Sequence, residues 1–175
     1  MRLILSLSAL AAATLAAATP AVAAPGTAQA SAQVLGVVLQ PLTLTKTSDL
    51  DFGTVIGSAA AGTVTINADT GARSTVGGVI GVPTYPGNRG VFQGAGTVAQ
   101  PVALTLSAPA LMTSTANPAD TLVVTGLSLD QGGSLLRTID ATSAFTVGVG
   151  GVFAIAANQP NGLYTATFNL TADYQ

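Results

Sequence analysis

The side chains that could do chemistry in this chain are few, and most of them are aspartates. The chain has seven Asp but no Glu, His or Cys, and its cations are Lys46 and four Arg. Asp49 and Asp51 lie two residues apart, so both carboxylates would share one face of a strand. Ca²⁺ takes about six to eight oxygen ligands, and this segment offers only two carboxylates. We therefore expect both side chains to lie in water at the entry to a strand.

The remaining candidates for chemistry have simpler explanations. Asp130, Arg137 and Asp140 are close in sequence, which predicts a surface ion pair around a loop. A Ser-His-Asp triad is unavailable because the chain has no His. The glycine-rich residues 148–151 lack the strand-to-helix context of a phosphate-binding loop. The sequence therefore predicts a protein that is not an enzyme and that has no metal site and no cofactor.

The net charge of the chain limits the kinds of molecule that it could bind. The formal net charge is −2 and only 7% of residues are charged. A nucleic-acid partner would require a basic face, which this composition does not supply. A weakly charged, β-rich surface is typical of a subunit within an assembly. A separate extracellular domain with a neutral polar coat is the alternative that composition leaves open.

The first residues have the pattern of a secretory signal peptide. Arg2 provides the positive start, residues 3–18 form an apolar stretch, and residues 21–23 form a small-residue cleavage site before Ala24. No later apolar run is long enough to span a membrane. The sequence thus predicts export of the mature chain, to the periplasm, the cell surface or the medium. We divide the chain into a signal peptide (1–23), an N-terminal extension (24–40) and a β-domain (41–175).

Apolar and polar residues alternate through most of the mature chain. The closing segment, residues 164–174, alternates without interruption and predicts an amphipathic strand that ends at Tyr174. Asn161 and Gly162 predict a hairpin between residues 152–156 and this closing strand. Residues 84–96 predict a loop with at most a short strand at 91–93. Short strands separated by Gly, Pro, Asn and Asp indicate an all-β, antiparallel sandwich.

The N-terminal extension continues the alternation of the first core strand. Its apolar residues lie in phase with Leu42 and Leu44, and Pro41 separates them from that strand because proline removes a ladder donor. The in-phase residues are Ala28, Ala30, Ala32, Val34 and Val38.

Several segments together resemble a family of small exported bacterial β-sandwich proteins that is similar to spore coat protein U and to chaperone–usher pilins. The resemblance covers nearly all of the mature chain, and its best-matched part is the C-terminal block with the penultimate Tyr174. The segments that carry it are residues 42–46, 49–53, 70–73, 148–151 and 159–164.

This resemblance implies an incomplete immunoglobulin-like (pilin-like) sandwich whose missing strand comes from another chain. A periplasmic chaperone would lend the strand first, and the extension of the next subunit, delivered with an outer-membrane usher, would replace it. The in-phase residues of the extension would then be the donor strand. The acceptor edge, also the chaperone-binding edge, would be formed by Tyr164, Phe168, Leu170 and Tyr174. The implied function is a noncatalytic structural subunit of a fimbria-like or coat-like surface assembly.

Two alternatives remain open on the sequence. Residues 24–40 could instead form an ordinary first strand of a complete sandwich, which would need no partner. Such a domain could serve as a self-contained extracellular binding module. Its candidate loop carries Tyr85, Asn88 and Arg89, side chains suited to contacting a glycan.

Overall fold

The computed structural model of the protein describes residues 26–175, and the signal peptide predicted for residues 1–23 lies outside them. No helix among these residues is long and apolar enough to cross a membrane. The chain forms strands and one short helical turn, α1 (Asp130–Gly133). The strands are β1 (Thr43–Ser48), β2 (Val55–Ile56), β3 (Gly62–Ile66), β4 (Arg73–Gly77), β5 (Ile80–Gly81), β6 (Gly90–Ala95), β7 (Pro101–Ser107), β8 (Leu111–Ser114), β9 (Thr121–Leu129), β10 (Leu136–Thr138), β11 (Ala144–Ile155), β12 (Tyr164–Thr165) and β13 (Asn169–Tyr174).

The strands form two main antiparallel sheets. The larger sheet has the order β1-β6-β11-β9-β8-β12, and β3 and β4 extend it from the second half of β11. The smaller sheet has the order β10-β7-β13, and β2 and β5 form a separate pair. This architecture confirms the predicted all-β antiparallel sandwich.

The hydrophobic core has two parts, one between the two main sheets and one against the larger sheet where β3 pairs with β11. One part joins Val102 and Leu104 of β7 to Phe145, Val147 and Val149 of β11. The other surrounds Val64, Phe153 and Ile155, where the ring of Phe52 meets that of Phe153 edge to face at 4.7 Å. These residues sit at alternate strand positions, because successive side chains of a strand point to opposite faces.

The central strand β11 is the longest and uses both of its edges. One edge pairs with β9, while the other pairs with β6 up to Val149 and with β3 from Gly151. The predicted hairpin between residues 152–156 and the closing strand is therefore wrong. Because both edges of β11 are occupied, β12 pairs instead with β8.

The closing segment is two strands, whereas its alternation predicts one. Tyr164–Thr165 pairs with β8 of the larger sheet, whereas Asn169–Tyr174 pairs with β7 of the smaller sheet. Residues 166–168, here named the switch segment, carry the chain from one sheet to the other and belong to no strand. The region predicted as a loop at 84–96 also contains a longer strand than expected, β6, which pairs with both β1 and β11.

The described residues divide after Gly36, into 26–36 as part of a first unit and Val37–Gln175 as a second. In the first, residues 26–36 form no helix or strand and are exposed, with Val34 98% exposed. The second contains all the strands named above. It begins with residues that also lie outside any strand, of which Val37 and Val38 are 86% and 95% exposed.

Candidate functional site

Two strand edges without partners lie on the same side of the sandwich. β1 is the last strand at one end of the larger sheet, and β13 is the last strand of the smaller one. The two strands approach each other, and some Cα atoms of one lie within 8 Å of Cα atoms of the other. Within residues 26–175, neither outer edge pairs with another strand. An unpaired edge offers a row of N–H and C=O groups to any extended segment that meets it.

One end of the gap between β1 and β13 is closed by a hydrogen-bonded clasp. The Tyr174 hydroxyl donates to the Gln40 carbonyl oxygen at 2.9 Å and accepts from the Thr97 N–H at 2.7 Å. The Gln40 N–H in turn donates to the Thr97 hydroxyl at 2.7 Å. Gly96 makes room for this contact, since a Cβ there would lie 2.2 Å from the Tyr174 oxygen. The clasp ties the backbone just before β1 to the end of β13.

The other end of the gap opens into a cavity bounded by the larger sheet and by the loops beside it, here named the interlayer cavity. Its volume is about 290 Å³, and Lys46 and Asp49 stand at its polar side. Lys46 Nζ and Asp49 Oδ1 form an ion pair at 2.6 Å, and both side chains are exposed. The switch segment forms one wall of the cavity. The apolar walls come from five parts of the chain and include Leu50, Phe92, Met112, Val124, Leu127 and Phe168.

The predicted acceptor residues occupy two places. Phe168, Leu170 and Tyr174 pack against the core part of β7 and β11, and Phe168 meets Phe92 edge to face at 5.8 Å. Tyr164 lies apart from them in the larger sheet, where its hydroxyl donates to the Pro160 carbonyl oxygen at 2.7 Å.

The predicted donor residues lie outside every strand. Ala28, Ala30, Ala32, Val34 and Val38 are all exposed.

The carboxylates of Asp49 and Asp51 are exposed, as the sequence predicts, and each has a local partner. Asp49 pairs with Lys46, and Asp51 accepts the Gly53 N–H at 2.7 Å. The backbone of Asp51 also forms a two-bond bridge with Asn88. Within residues 26–175 no group of three acidic side chains lies close enough to hold a metal ion.

The surface ion pair predicted for Asp130 and Arg137 is instead buried. The two side chains are only 14% and 3% exposed, and the Arg137 guanidinium also donates to the carbonyl oxygens of Ser134 and Leu136. Sequence spacing placed the pair correctly but could not show that β10 carries Arg137 inward. Asp140 lies apart on a turn. Hydrogen bonds from the Thr142 hydroxyl and from the backbone N–H groups of Ala144 and Thr142 lower the pKa of Asp140 below its ordinary value.

The loop around Tyr85 is held firmly and presents the aromatic ring to solvent. Arg73 donates to the carbonyl oxygens of Phe52, Thr54, Val82 and Tyr85 at 2.8–3.2 Å. Tyr85 itself is 67% exposed. Sequence reasoning missed this role of Arg73, and also the clasp through Gln40 and Thr97. No local pattern marks either one, since the partners are distant in sequence.

The fold is that of an all-β antiparallel sandwich domain, in which β1 and β13 each have an unpaired edge within residues 26–175, preceded by an exposed N-terminal segment. The family model of a domain of unknown function, DUF4402, matches residues 42–174, and the chain belongs to this family. The match begins at the first strand and ends at the clasp tyrosine. No curated protein and no solved structure matches the chain.

Proposed function

We propose that the protein is a noncatalytic structural subunit of a bacterial cell-surface assembly, in which subunits join by β-strand addition. The extension of one copy pairs with the unpaired edge of β13 in the next. The chain reaches the surface by export, and a periplasmic chaperone and an outer-membrane usher are the proposed partners during assembly. The resemblance of the sequence to chaperone–usher pilins supports this proposal.

The observation that carries the proposal is the combination of an uncovered apolar segment with an unpaired strand edge in one chain. The side chains of Val34, Leu35, Val37 and Val38 are 86–98% exposed. Burying one Val contributes roughly 1.5 to 3 kcal/mol, so leaving four such side chains in water is costly unless another surface covers them. Main-chain hydrogen bonds to an open edge supply the affinity in strand addition, and alternate side chains supply specificity.

The proposal is tested by comparing unheated and boiled surface extracts on SDS gels. Strand-added polymers of the full chain should appear as a ladder in the unheated sample and collapse to a monomer band on boiling. The double variant Val34→Asp/Val38→Asp should give only monomer, because a charge on each donor position would have to be buried without a partner.

A matched control places the same charges on other exposed apolar residues. Val76 and Leu163 are 67% and 66% exposed and belong to other parts of the surface. The variant Val76→Asp/Leu163→Asp should keep the ladder. A monomer band alone from the unaltered chain, in unheated extracts, would disprove assembly by strand addition.

A self-contained binding domain is the second candidate, and the Tyr85 loop favours it. Exposed aromatic rings on firmly held loops suit recognition of sugars, since the loop loses little freedom on binding. Titrating the purified protein with soluble glycans should then give binding that Tyr85→Ala abolishes. Ile80→Ala, which changes another 67% exposed residue, should leave that binding unchanged. Failure of every glycan to bind would remove this candidate.

A further inference from the structure

We infer that the interlayer cavity is the receptor for Val34 or Val38 of a second copy of this chain. The inference rests on the proposed function and deepens it, because it specifies where the added segment enters the sandwich and which of its faces turns inward. Under this assignment the incoming segment lies along the switch segment and the start of β13, and its apolar side chain enters the cavity.

The cavity lies beside backbone that belongs to no strand. Ala166 and Thr167 line the cavity, are exposed and pair with neither sheet. The outer edge of β13 continues from this point and also has no partner within residues 26–175. An extended segment at this place would gain backbone hydrogen bonds and apolar contact together. Elsewhere along β13 the side chains of Leu170, Ala172 and Tyr174 already pack on the core and leave no such space.

The cavity and the donor segment are compatible in charge. Among the described residues, the charged side chains that line the cavity are Lys46 and Asp49, which neutralise each other in an exposed pair. Residues 26–41 contain no charged residue at all. The segment can therefore enter an apolar space without taking an unpaired charge out of water, which would be the main cost of burial.

The donor segment has one face that is free of polar side chains. Even-numbered positions from Ala28 to Val38 are apolar or Gly throughout, whereas the odd positions include Thr27, Gln29, Ser31 and Gln33. Alternate side chains of an added strand point to opposite faces. Only the even face can turn toward the sandwich along its whole length without burying polar groups, so Val34 and Val38 point inward while Leu35 and Val37 point outward.

Cysteine cross-linking tests this inference cleanly, because the chain has no native Cys. Full-length Met112→Cys, which places a thiol in the cavity wall, is mixed with full-length Val34→Cys or Val38→Cys and treated with a mild oxidant. A disulfide requires Cα atoms within about 7 Å, so mixed dimers report direct insertion. Mass spectrometry of the joined peptides separates mixed dimers from dimers of one variant.

The expected result is at least a tenfold higher yield of mixed dimer with Val34→Cys or Val38→Cys than with the matched outward controls Leu35→Cys and Val37→Cys. Equal yields from both faces would overturn the inference. So would a double variant, Met112→Cys with Val34→Cys, that cross-links only within one chain at every concentration.

A parallel gel of the same samples separates this inference from the proposed function. An SDS-resistant ladder without cross-linking through Met112→Cys would leave strand addition standing and refute the cavity as the receptor. Absence of both the ladder and the cross-link would refute strand addition and the receptor together. Thermal unfolding of Met112→Cys, with a midpoint close to that of the unaltered chain, confirms that the probe itself is folded.

Discussion

The buried ion pair between Asp130 and Arg137 concentrates two charges in a chain that has very few. Arg137 is buried, and its Nε atom has no hydrogen-bond partner among residues 26–175. The guanidinium therefore depends on the Asp130 carboxylate and on nearby carbonyl oxygens for compensation. Taking a charge out of water costs several kcal/mol, and a paired, hydrogen-bonded partner recovers most of this cost.

Asp130→Ala should lower the free energy of unfolding by roughly 3 to 5 kcal/mol, because it leaves the guanidinium buried without its anion. Urea unfolding followed by circular dichroism measures this change. The matched control is Asp49→Ala, which breaks the exposed pair with Lys46 and should cost less than about 1 kcal/mol. Equal losses in the two variants would contradict the buried character of the Asp130 pair.

The central strand β11 requires glycine at the point where it changes its pairing partner. Gly150 lies where β11 changes partner from β6 to β3, and a Cβ there would lie 2.3 Å from the Ile66 carbonyl oxygen. Because the obstructing atom is backbone, no side-chain rotation can relieve the clash. The close approach of β3 to β11 therefore requires glycine at this position.

Gly150→Ala should destabilise the domain by about 1 to 3 kcal/mol or more, since the strands must move apart to admit the methyl group. The control is Gly126→Ala in β9, where no atom lies within 4 Å of the added Cβ. We expect that variant to change the free energy of unfolding by less than about 1 kcal/mol. Denaturant unfolding of both variants checks the prediction, and a Gly150→Ala protein as stable as the control would refute it.

The strands and their inward faces could be predicted from local pattern, but their partners could not. Val64, Ile66, Phe145, Val147 and Val149 are buried as their alternation predicts. Alternation records only which face is apolar, and it continues unbroken through the closing segment although the chain changes sheets there. The partner of Tyr164 depends on which strand edges remain open, and that is decided by strands far away in sequence.

Only part of the candidate site could be predicted from the sequence. The absence of charge and the alternation of residues 28–38 are sufficient to mark the extension as a distinct segment. The interlayer cavity could not be found in this way, because Leu50, Phe92, Met112, Leu127 and Phe168 come from separate elements. Their meeting follows from how the larger sheet, the loop after β1 and the switch segment pack together, and no spacing in the sequence records it.

The amino-acid composition predicts that the free energy of unfolding changes with pH only in acid. The chain has no His, Cys or Glu, so no side-chain type with an ordinary pKa between about 5 and 8 is present. The free energy of unfolding should therefore stay constant across that interval. The pKa of Asp140 is lower in the folded chain than the ordinary 3.8, so its carboxylate stabilises the fold above that pH. This contribution is lost as the pH falls through the folded pKa.

Thermal unfolding measured from about pH 2 to 8 tests the response. The midpoint should be flat above about pH 5 and fall in acid. Asp140→Asn should start lower near neutral pH and lose less on acidification, because it has no carboxylate to protonate. A marked change of the midpoint between pH 6 and 7 would show that a group other than these aspartates controls stability.

The clasp at Gln40 determines how the molecule would respond to tension. A pull on the chain at Val38, along the axis of β1, first meets the bonds from Gln40 to Tyr174 and Thr97, and then β1 itself. The ladder between β1 and β6 runs across that direction, since antiparallel hydrogen bonds lie perpendicular to their strands. Tension would therefore load all the hydrogen bonds between β1 and β6 together, in shear, and would not open them one at a time. A filament joined through this segment would consequently resist traction better than its sparse charge and lack of disulfides suggest.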